Sequence, residues 1–467
     1  MRRARWLVSV SMVATGALVV PGAAAVPNPP GAPGLDPVEL RLVSPRPTVP
    51  ELPDDPPRAL VAGVTALSAR LGVTQEPRAL EAAARLAPAV AARLAVLVER
   101  LLECQVASGH LVAASRAGGE GSAAEVRACA VRLQEAGRWV AQTMPAAAAT
   151  DAVDLWPVLR YDPGMTDGRY ENDYALLVDA GGNDTYLNNA GGNLLDVIRG
   201  PRGALSAQPG PARGCHRFQD LATGDCVIAS ALLIDSGGDD VYGQRQAPDP
   251  LGDGMCTADP VVLRIATAGA GFSGVGILID SAGDDHYVGK SLSQGAAHLG
   301  GVGILHDDGT GDDSYLAIRN SQGMGIATGL GVLRDNGGDD IYQWYQPRAI
   351  DAAAEFQRGF SGGVIDELGK CDNLPRAFQG VGVAHGAGVL YDRGGDDTYR
   401  GAPAGYEENL VPGFNLPTGS QGWGVLGGFG TLDDEAGRDI YEGIAGRGDG
   451  VTVQPSREST GLFMDKA

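Results

Sequence analysis

The stretch GILIDSAGDDHY, residues 276–287, runs an apolar strand directly into a turn with three carboxylates. The phrase recurs as LLVDAGGNDTY (176–186), LLIDSGGDDVY (232–242) and ILHDDGTGDDSY (304–315). It returns as VLRDNGGDDIY (332–342), VLYDRGGDDTY (389–399) and TLDDEAGRDIY (431–441). Tyr287, Tyr315 and Tyr342 are 28 and 27 residues apart, while the spacings Tyr186 to Tyr242 and Tyr342 to Tyr399 are 56 and 57, near twice the unit. The second of these wide gaps holds a damaged copy, GVIDELGKCDN (363–373), in which Asp366 keeps the first acid and Cys371 replaces the last. Self-similarity at a fixed period marks a repeat architecture.

Each unit has a second half. SQGAAHLGGVGIL (293–305), SQGMGIATGLGVL (321–333), FQGVGVAHGAGVL (378–390) and SQGWGVLGGFGTL (420–432) align without gaps. One unit therefore contains a Gln-Gly segment, a Gly-x-Gly-x-Leu strand, an acidic turn and a strand led by Tyr. Repeated Gly opposes helix, and a unit of about 28 residues is short for a βαβ crossover. The pattern predicts a mainly β fold, a parallel β-solenoid of ~28-residue coils. Roughly 300 residues would make about ten coils, a rod on the order of 50 Å long. Leu and Ile are expected to stack inward, and the tyrosines to form an aromatic ladder.

Stacking in register creates an electrostatic problem. Equivalent acids would stand about 4.8 Å apart, repelling by about 0.9 kcal/mol per pair in water and about 3.5 at an effective dielectric of 20. Several such pairs rival the whole stability of a domain, about 5–15 kcal/mol. Bound cations, splaying into solvent, or hydrogen bonds from turn N–H groups must compensate. Calcium suits best, because it takes six to eight oxygen ligands.

The segments Gly182-Asn183-Asp184-Thr185-Tyr186 and Gly338-Asp339-Asp340-Ile341-Tyr342 resemble part of the hemolysin-type (RTX) calcium-binding nonapeptide, GGxGxDxUx. The resemblance implies calcium held between successive turns of a parallel β-roll, with Asp184, Asp240, Asp285, Asp313, Asp340, Asp397 and Asp439 as ligands. The match covers about ten residues in each of seven copies. The family's leading Gly is Asp here, its unit is nine residues, and Arg438 replaces the middle acid of the last copy. Those leading acids, Asp179, Asp235, Asp280, Asp307, Asp335, Asp392 and Asp434, complete the candidate metal set. Asp-x-Gly-Gly is also ordinary turn chemistry, so a metal-free solenoid with solvated acids is the alternative.

The rest of the chain frames these repeats. Residues 1–25 read as a signal peptide, with Arg2, Arg3 and Arg5, an apolar run, and Ala23-Ala24-Ala25 for cleavage. Residues 26–57 read as a Pro-rich spacer that buries no core. Residues 58–150 carry apolar stripes at helical spacing, among them Leu60, Val64, Leu67 and Leu71, and predict a small α-helical bundle of three or four helices. That bundle is expected to cap one end of the solenoid, which fills residues 151–467. A net charge of −21 with no basic stripe excludes nucleic acid as a partner, and no stable membrane span remains once the signal is removed. In an oxidising compartment the cysteines suggest pairs Cys104–Cys129, Cys215–Cys226 and, by elimination, Cys256–Cys371.

No HExxH, GxSxG or Walker loop is present. His298 and His385 follow Gln-Gly segments and could share one face, and His286 and His306 flank acidic turns as solvated side chains. Lys290, Arg319, Arg393 and Arg400 show no repeated spacing of the kind a lyase would use. The sequence thus predicts a secreted, extracellular, acidic, calcium-binding rod with a structural, adhesion or surface-association role. Its partners would be calcium ions and a cell-surface or extracellular polysaccharide or protein. A secreted β-helix lyase or hydrolase acting on polysaccharide is the alternative enzyme reading.

Overall fold

The computed structural model describes residues 35–43, 48–73, 76–116, 123–144, 152–196, 226–243, 266–344, 364–365, 371–372, 379–383, 385–400, 407–411, 414–417, 421–425, 428–442 and 460–465. The fold is mainly β, with long parallel sheets and five helices. The helices are α1 (Pro37–Val43), α2 (Pro56–Leu71), α3 (Glu76–Arg85), α4 (Pro88–Arg116) and α5 (Ala123–Thr143). Four of them fall in the stretch whose stripes predict helix. The first lies inside the expected spacer and corrects that expectation, since Leu35 and Leu42 are buried. Its cause is a local capping box. Asp36 accepts the N–H groups of Val38 and Glu39, and Glu39 accepts that of Asp36. Pro37 then supplies a favourable first helical residue. The candidate signal peptide lies outside the described residues. Among those described, no helix is long and apolar enough to cross a membrane.

Successive repeats pair in register. The strands that open the acidic turns form a ten-stranded sheet, parallel except where Val153–Leu155 pairs antiparallel with Leu159–Asp162. The tyrosine-led strands form an eight-stranded sheet, and five short strands from Gly271–Phe272 to Gly424–Val425 form a third. Val275–Asp280 pairs with Val302–Asp307 so that Leu278 meets Leu305 and Asp280 meets Asp307. Tyr287 likewise meets Tyr315, which meets Tyr342.

Alternation along the strand decides what each side chain meets. Gly276, Leu278 and Asp280 share one face, toward the tyrosines. Leu278, Leu305, Leu333 and Leu390 pack there with the tyrosine ladder. Val275, Ile277 and Ile279 point the other way and join the helices in one core. The isoleucines therefore do not stack inward with the leucines, as the sequence suggested. Nor do the helices cap an end, because they lie on the face of the ten-stranded sheet. Closeness there depends on Gly137 of α5, where a Cβ would come within 2.7 Å of Ile279 Cδ1. The disulfide Cys104–Cys129 joins α4 to α5. Cys215 and Cys256 lie outside the described residues, so the other two pairings are not addressed.

Where the ten-stranded and five-stranded sheets meet, backbone touches backbone. A Cβ on Gly303 would sit 2.1 Å from the carbonyl oxygen of Ala296, which explains the Gly-x-Gly-x-Leu phrase. The Gln of each unit is buried and donates to the carbonyl of the Tyr in the preceding repeat, as in Gln294 Nε2 to Tyr287 at 2.9 Å and Gln322 Nε2 to Tyr315 at 2.8 Å. The described strands of the damaged copy do not enter the stack. Val364–Ile365 and Cys371–Asp372 pair antiparallel with each other, and the large sheet passes directly from Leu330–Arg334 to Ala387–Asp392. The tyrosine sheet accordingly has eight strands where about ten coils were expected.

Replacing Gly303 with Ala should lower stability in urea by at least about 1–3 kcal/mol, because neither backbone can yield without breaking register. A wild-type midpoint would show that the two sheets do not meet this closely.

Candidate metal centre

Each turn carries three acidic columns, and the structure separates them sharply. The first, which follows the Leu, is buried and, from Asp179 to Asp392, held at both oxygens; Asp434 Oδ1 lacks a partner. Asp307 Oδ1 accepts the N–H of Gly309 at 2.8 Å, and Asp335 Oδ1 accepts that of Gly337 at 2.7 Å. Their Oδ2 atoms accept tyrosine hydroxyls from the preceding repeat, Tyr287 to Asp307 at 2.7 Å and Tyr315 to Asp335 at 2.5 Å. Tyr170, Tyr186 and Tyr242 bind Asp179, Asp235 and Asp280 in the same way, and Tyr342 binds Asp392 at 2.7 Å. The ladder places the hydroxyls, since ring centroids follow one another at 4.8 Å from Tyr242 to Tyr287 and on to Tyr315.

The middle column is exposed. Asn183 and Asp239 each accept the N–H of the equivalent residue one repeat later, at 3.1 Å, and Asp312 does so for Asp339 at 2.9 Å. Arg438 closes this row on Asp396.

The last column carries the unsolved charge. Asp240 Oδ1 accepts the N–H of Asp184 at 2.5 Å, Asp285 Oδ1 that of Asp240 at 2.6 Å, and Asp340 Oδ1 that of Asp313 at 2.7 Å. Their second oxygens have no partner. Oδ2 of Asp184, Asp240, Asp285, Asp313, Asp340, Asp397 and Asp439 lacks any hydrogen bond among the described residues. All but Asp439 are buried. A turn glycine admits this tight stacking: Gly238 takes φ +139°, and a Cβ there would strike the carbonyl oxygen of Gly182 at 1.6 Å.

The first and last columns converge between successive repeats. Asp184, Asp235 and Asp240 bring one carboxylate oxygen each within 4.8 Å of one another. So do Asp240, Asp280 and Asp285, then Asp285, Asp307 and Asp313, then Asp313, Asp335 and Asp340, then Asp340, Asp392 and Asp397. Eleven of the fourteen candidate ligands stand in these five groups. Asp179, Asp434 and Asp439 hold the equivalent positions toward the ends of the row. Asp179 has no last-column acid in the repeat before it, because Gly168 stands there and gives its N–H to Asp184. The residues 162–170 are in fact one more copy of the turn, missed in the sequence. Asp162 pairs in register with Asp179, and the missing last acid and an altered loop hide the phrase. Asp162 is neutralised by Arg160 at 2.6 Å.

Burial, with the neighbouring carboxylates acting in the same direction, raises the whole buried set. Asp240 is pushed up to about 10, Asp285 and Asp397 to about 9, and Asp340 to about 11. Burial also lifts Asp179 to about 8, Asp434 to about 7 and Asp184 to about 6. Asp280 and Asp335 rise well above the ordinary range for the same reason. Without a cation, burial and like charge favour the protonated form of these buried carboxyls. With a divalent cation the protons must leave, so the two occupants exclude each other. An all-oxygen donor set with a free oxygen at every step fits calcium chemistry.

The histidines are placed differently from the sequence reading. His306 is fully buried under α5, with Nε2 2.9 Å from Asp308 Oδ1, and burial lowers its pKa to about 4. It is not a solvated turn residue. His286 is exposed and meets Ser314 of the next repeat at 2.6 Å. His298 aligns with Ile326 and, through it, with Val383, so His385 sits two residues beyond that register.

No known protein family, curated protein or solved structure matches this chain.

Two outcomes follow from these columns. Tyr315→Phe keeps the ring stack but strips Asp335 Oδ2 of its donor. It should cost about 1–3 kcal/mol in urea unfolding, and an unchanged midpoint would leave the hydroxyl without a role. The second concerns pH. Carboxyls with raised folded pKa values retain protons that the unfolded chain releases near pH 4. In chelator, stability should therefore be greatest below about pH 4 and fall as pH rises toward about 9. Saturating calcium should blunt or reverse that slope. A chelated protein that gains stability between pH 5 and 8 would contradict the assignment of these columns.

Proposed function

We propose that residues 151–467 form a β-solenoid neutralised along its acidic columns by calcium, in a secreted protein with a structural, adhesion or surface-association role. The observation that carries the reading is the row of buried, partnerless Oδ2 atoms. Charge arithmetic supports a divalent ion. Each repeat adds one first-column and one last-column carboxylate to the buried row, and so two negative charges per interval. One divalent cation per interval cancels them. An all-carboxylate oxygen set favours calcium over magnesium, which keeps several waters and demands near-ideal octahedral geometry at shorter distances. The resemblance to RTX repeats points the same way.

A charged N-terminal start, an apolar run and small residues before Val26 support export. Calcium outside the cell would then act as a ligand of the folded state alone. The polysaccharide-enzyme reading draws no support from the acid rows, since the first and last columns face inward between strands and not into a groove. Cell-surface or extracellular glycan or protein remains the proposed partner class of the rod.

Thermal melts in calcium and in chelator test the reading. Each bound ion contributes about 2.7 kcal/mol at a free concentration a hundred times its dissociation constant, so calcium should raise the melting temperature clearly. Coincident melts, with no calcium retained by the protein after dialysis, would leave protons as the sole occupants.

A further inference from the structure

Among the turns that keep both acids, one differs from the others, and the helical layer grips that one. From first to last acid the spacing is six residues in Asp307 to Asp313, and five in every other copy from Asp179–Asp184 to Asp434–Asp439. The extra residue lies in the turn Asp307-Asp308-Gly309-Thr310-Gly311-Asp312-Asp313. Asp313 belongs to two successive groups of carboxylates, one with Asp285 and Asp307 and one with Asp335 and Asp340. It is buried, and its Oδ2 is among the partnerless oxygens.

Beside Asp307 stands Asp308, whose carboxylate turns out of the row toward α5. Arg138 holds it with two hydrogen bonds, Nε to Oδ2 at 3.0 Å and Nη2 to Oδ1 at 2.7 Å. Asn336 Nδ2, from the next turn, donates to the same Oδ1 at 2.9 Å. Asn336 in turn accepts from Arg334 at 3.2 Å, and Arg334 donates to the carbonyl of Val43 at the end of α1 at 3.1 Å. A two-toothed guanidinium–carboxylate pair fixes angle as well as distance. Other copies place Ala180, Ser236, Ser281, Arg393 or Glu435 at this position: Ser236 and Ser281 bond the carbonyls of Asp179 and Asp235, and Arg393 lies 3.9 Å from Glu435.

We propose that Arg138 is a positioning residue for the middle of the carboxylate row. By holding Asp308 it fixes the longer turn, and with it the placement of Asp307 and Asp313 around the two intervals they serve. The helical layer and ion binding at those intervals are thereby linked, and each strengthens the other. This rests on the reading that the row takes divalent cations.

The test is calcium titration of the full chain by calorimetry, well below the melting temperature, with Arg138→Met and Arg138→Lys. The methionine keeps the aliphatic packing and removes the fork. Loss of a residue that orients metal ligands weakens binding about 10–100-fold, so about two of the intervals should weaken at least tenfold while the rest keep their affinity. Lysine, with its charge but no fork, should recover part of the loss. Arg93→Met is the control for general destabilisation of the layer. Arg93 lies over Trp139, 5.0 Å from the ring, and bonds Thr143 at 3.2 Å, so its loss should lower the melting temperature and leave the isotherm unchanged. An Arg138→Met isotherm that superimposes on wild type would overturn the proposal and leave the cation reading intact. A wild-type chain that takes up no calcium would overturn the cation reading itself.

Discussion

In-register parallel pairing brings the carboxylates of each turn within one strand spacing of those in the next. The first-column acids share a face with the leucines and tyrosines, so they cannot splay outward. From Asp179 to Asp392, hydrogen bonds from turn N–H groups and tyrosine hydroxyls meet both of their oxygens. The last-column acids are satisfied only by half, each using one oxygen to accept an N–H from the repeat before it. A buried carboxylate oxygen without a partner is costly in a low-dielectric setting. The turn therefore needs a positive occupant, a proton or a metal ion, before the stack is stable.

The ends of the row support this account from within the chain. At Asp162 the last-column acid is missing and an arginine is present, so the charge is cancelled by Arg160. At the other end Arg438 enters the exposed middle column, where it pairs with Asp396. Between these ends the described structure places no protein cation on the buried columns. The buried cations that do exist, Arg138 and Arg334, face the helical layer and serve Asp308, Asn336 and Val43.

Much of this was legible in the sequence, because a period near 28 residues fixes register and register fixes which side chains stack. The tyrosine ladder, the columns led by Asp280 and Asp285, and the disulfide Cys104–Cys129 all follow from spacing. The position of the helices did not. An apolar stripe such as Leu60, Val64, Leu67 and Leu71 shows that a helix has a buried face but not what covers it. One signal was available and unread. In Val275-Gly-Ile-Leu-Ile279 the apolar residues occupy both parities, which means a strand covered on both faces. The capping box at Asp36 and Glu39 was equally visible, but the surrounding prolines outweighed it. The copy at residues 162–170 was hidden by Gly168, and the copy at 363–373 looked like a coil because sequence similarity does not report which strand pairs with which.

Crystals grown in calcium, measured for anomalous scattering, test the central claim most directly. The account predicts peaks between successive turns, each close to oxygens of a last-column acid, the next first-column acid and the next last-column acid, as in Asp285, Asp307 and Asp313. Clean density with no peaks, and carboxylate oxygens drawn together in pairs around shared protons, would contradict it.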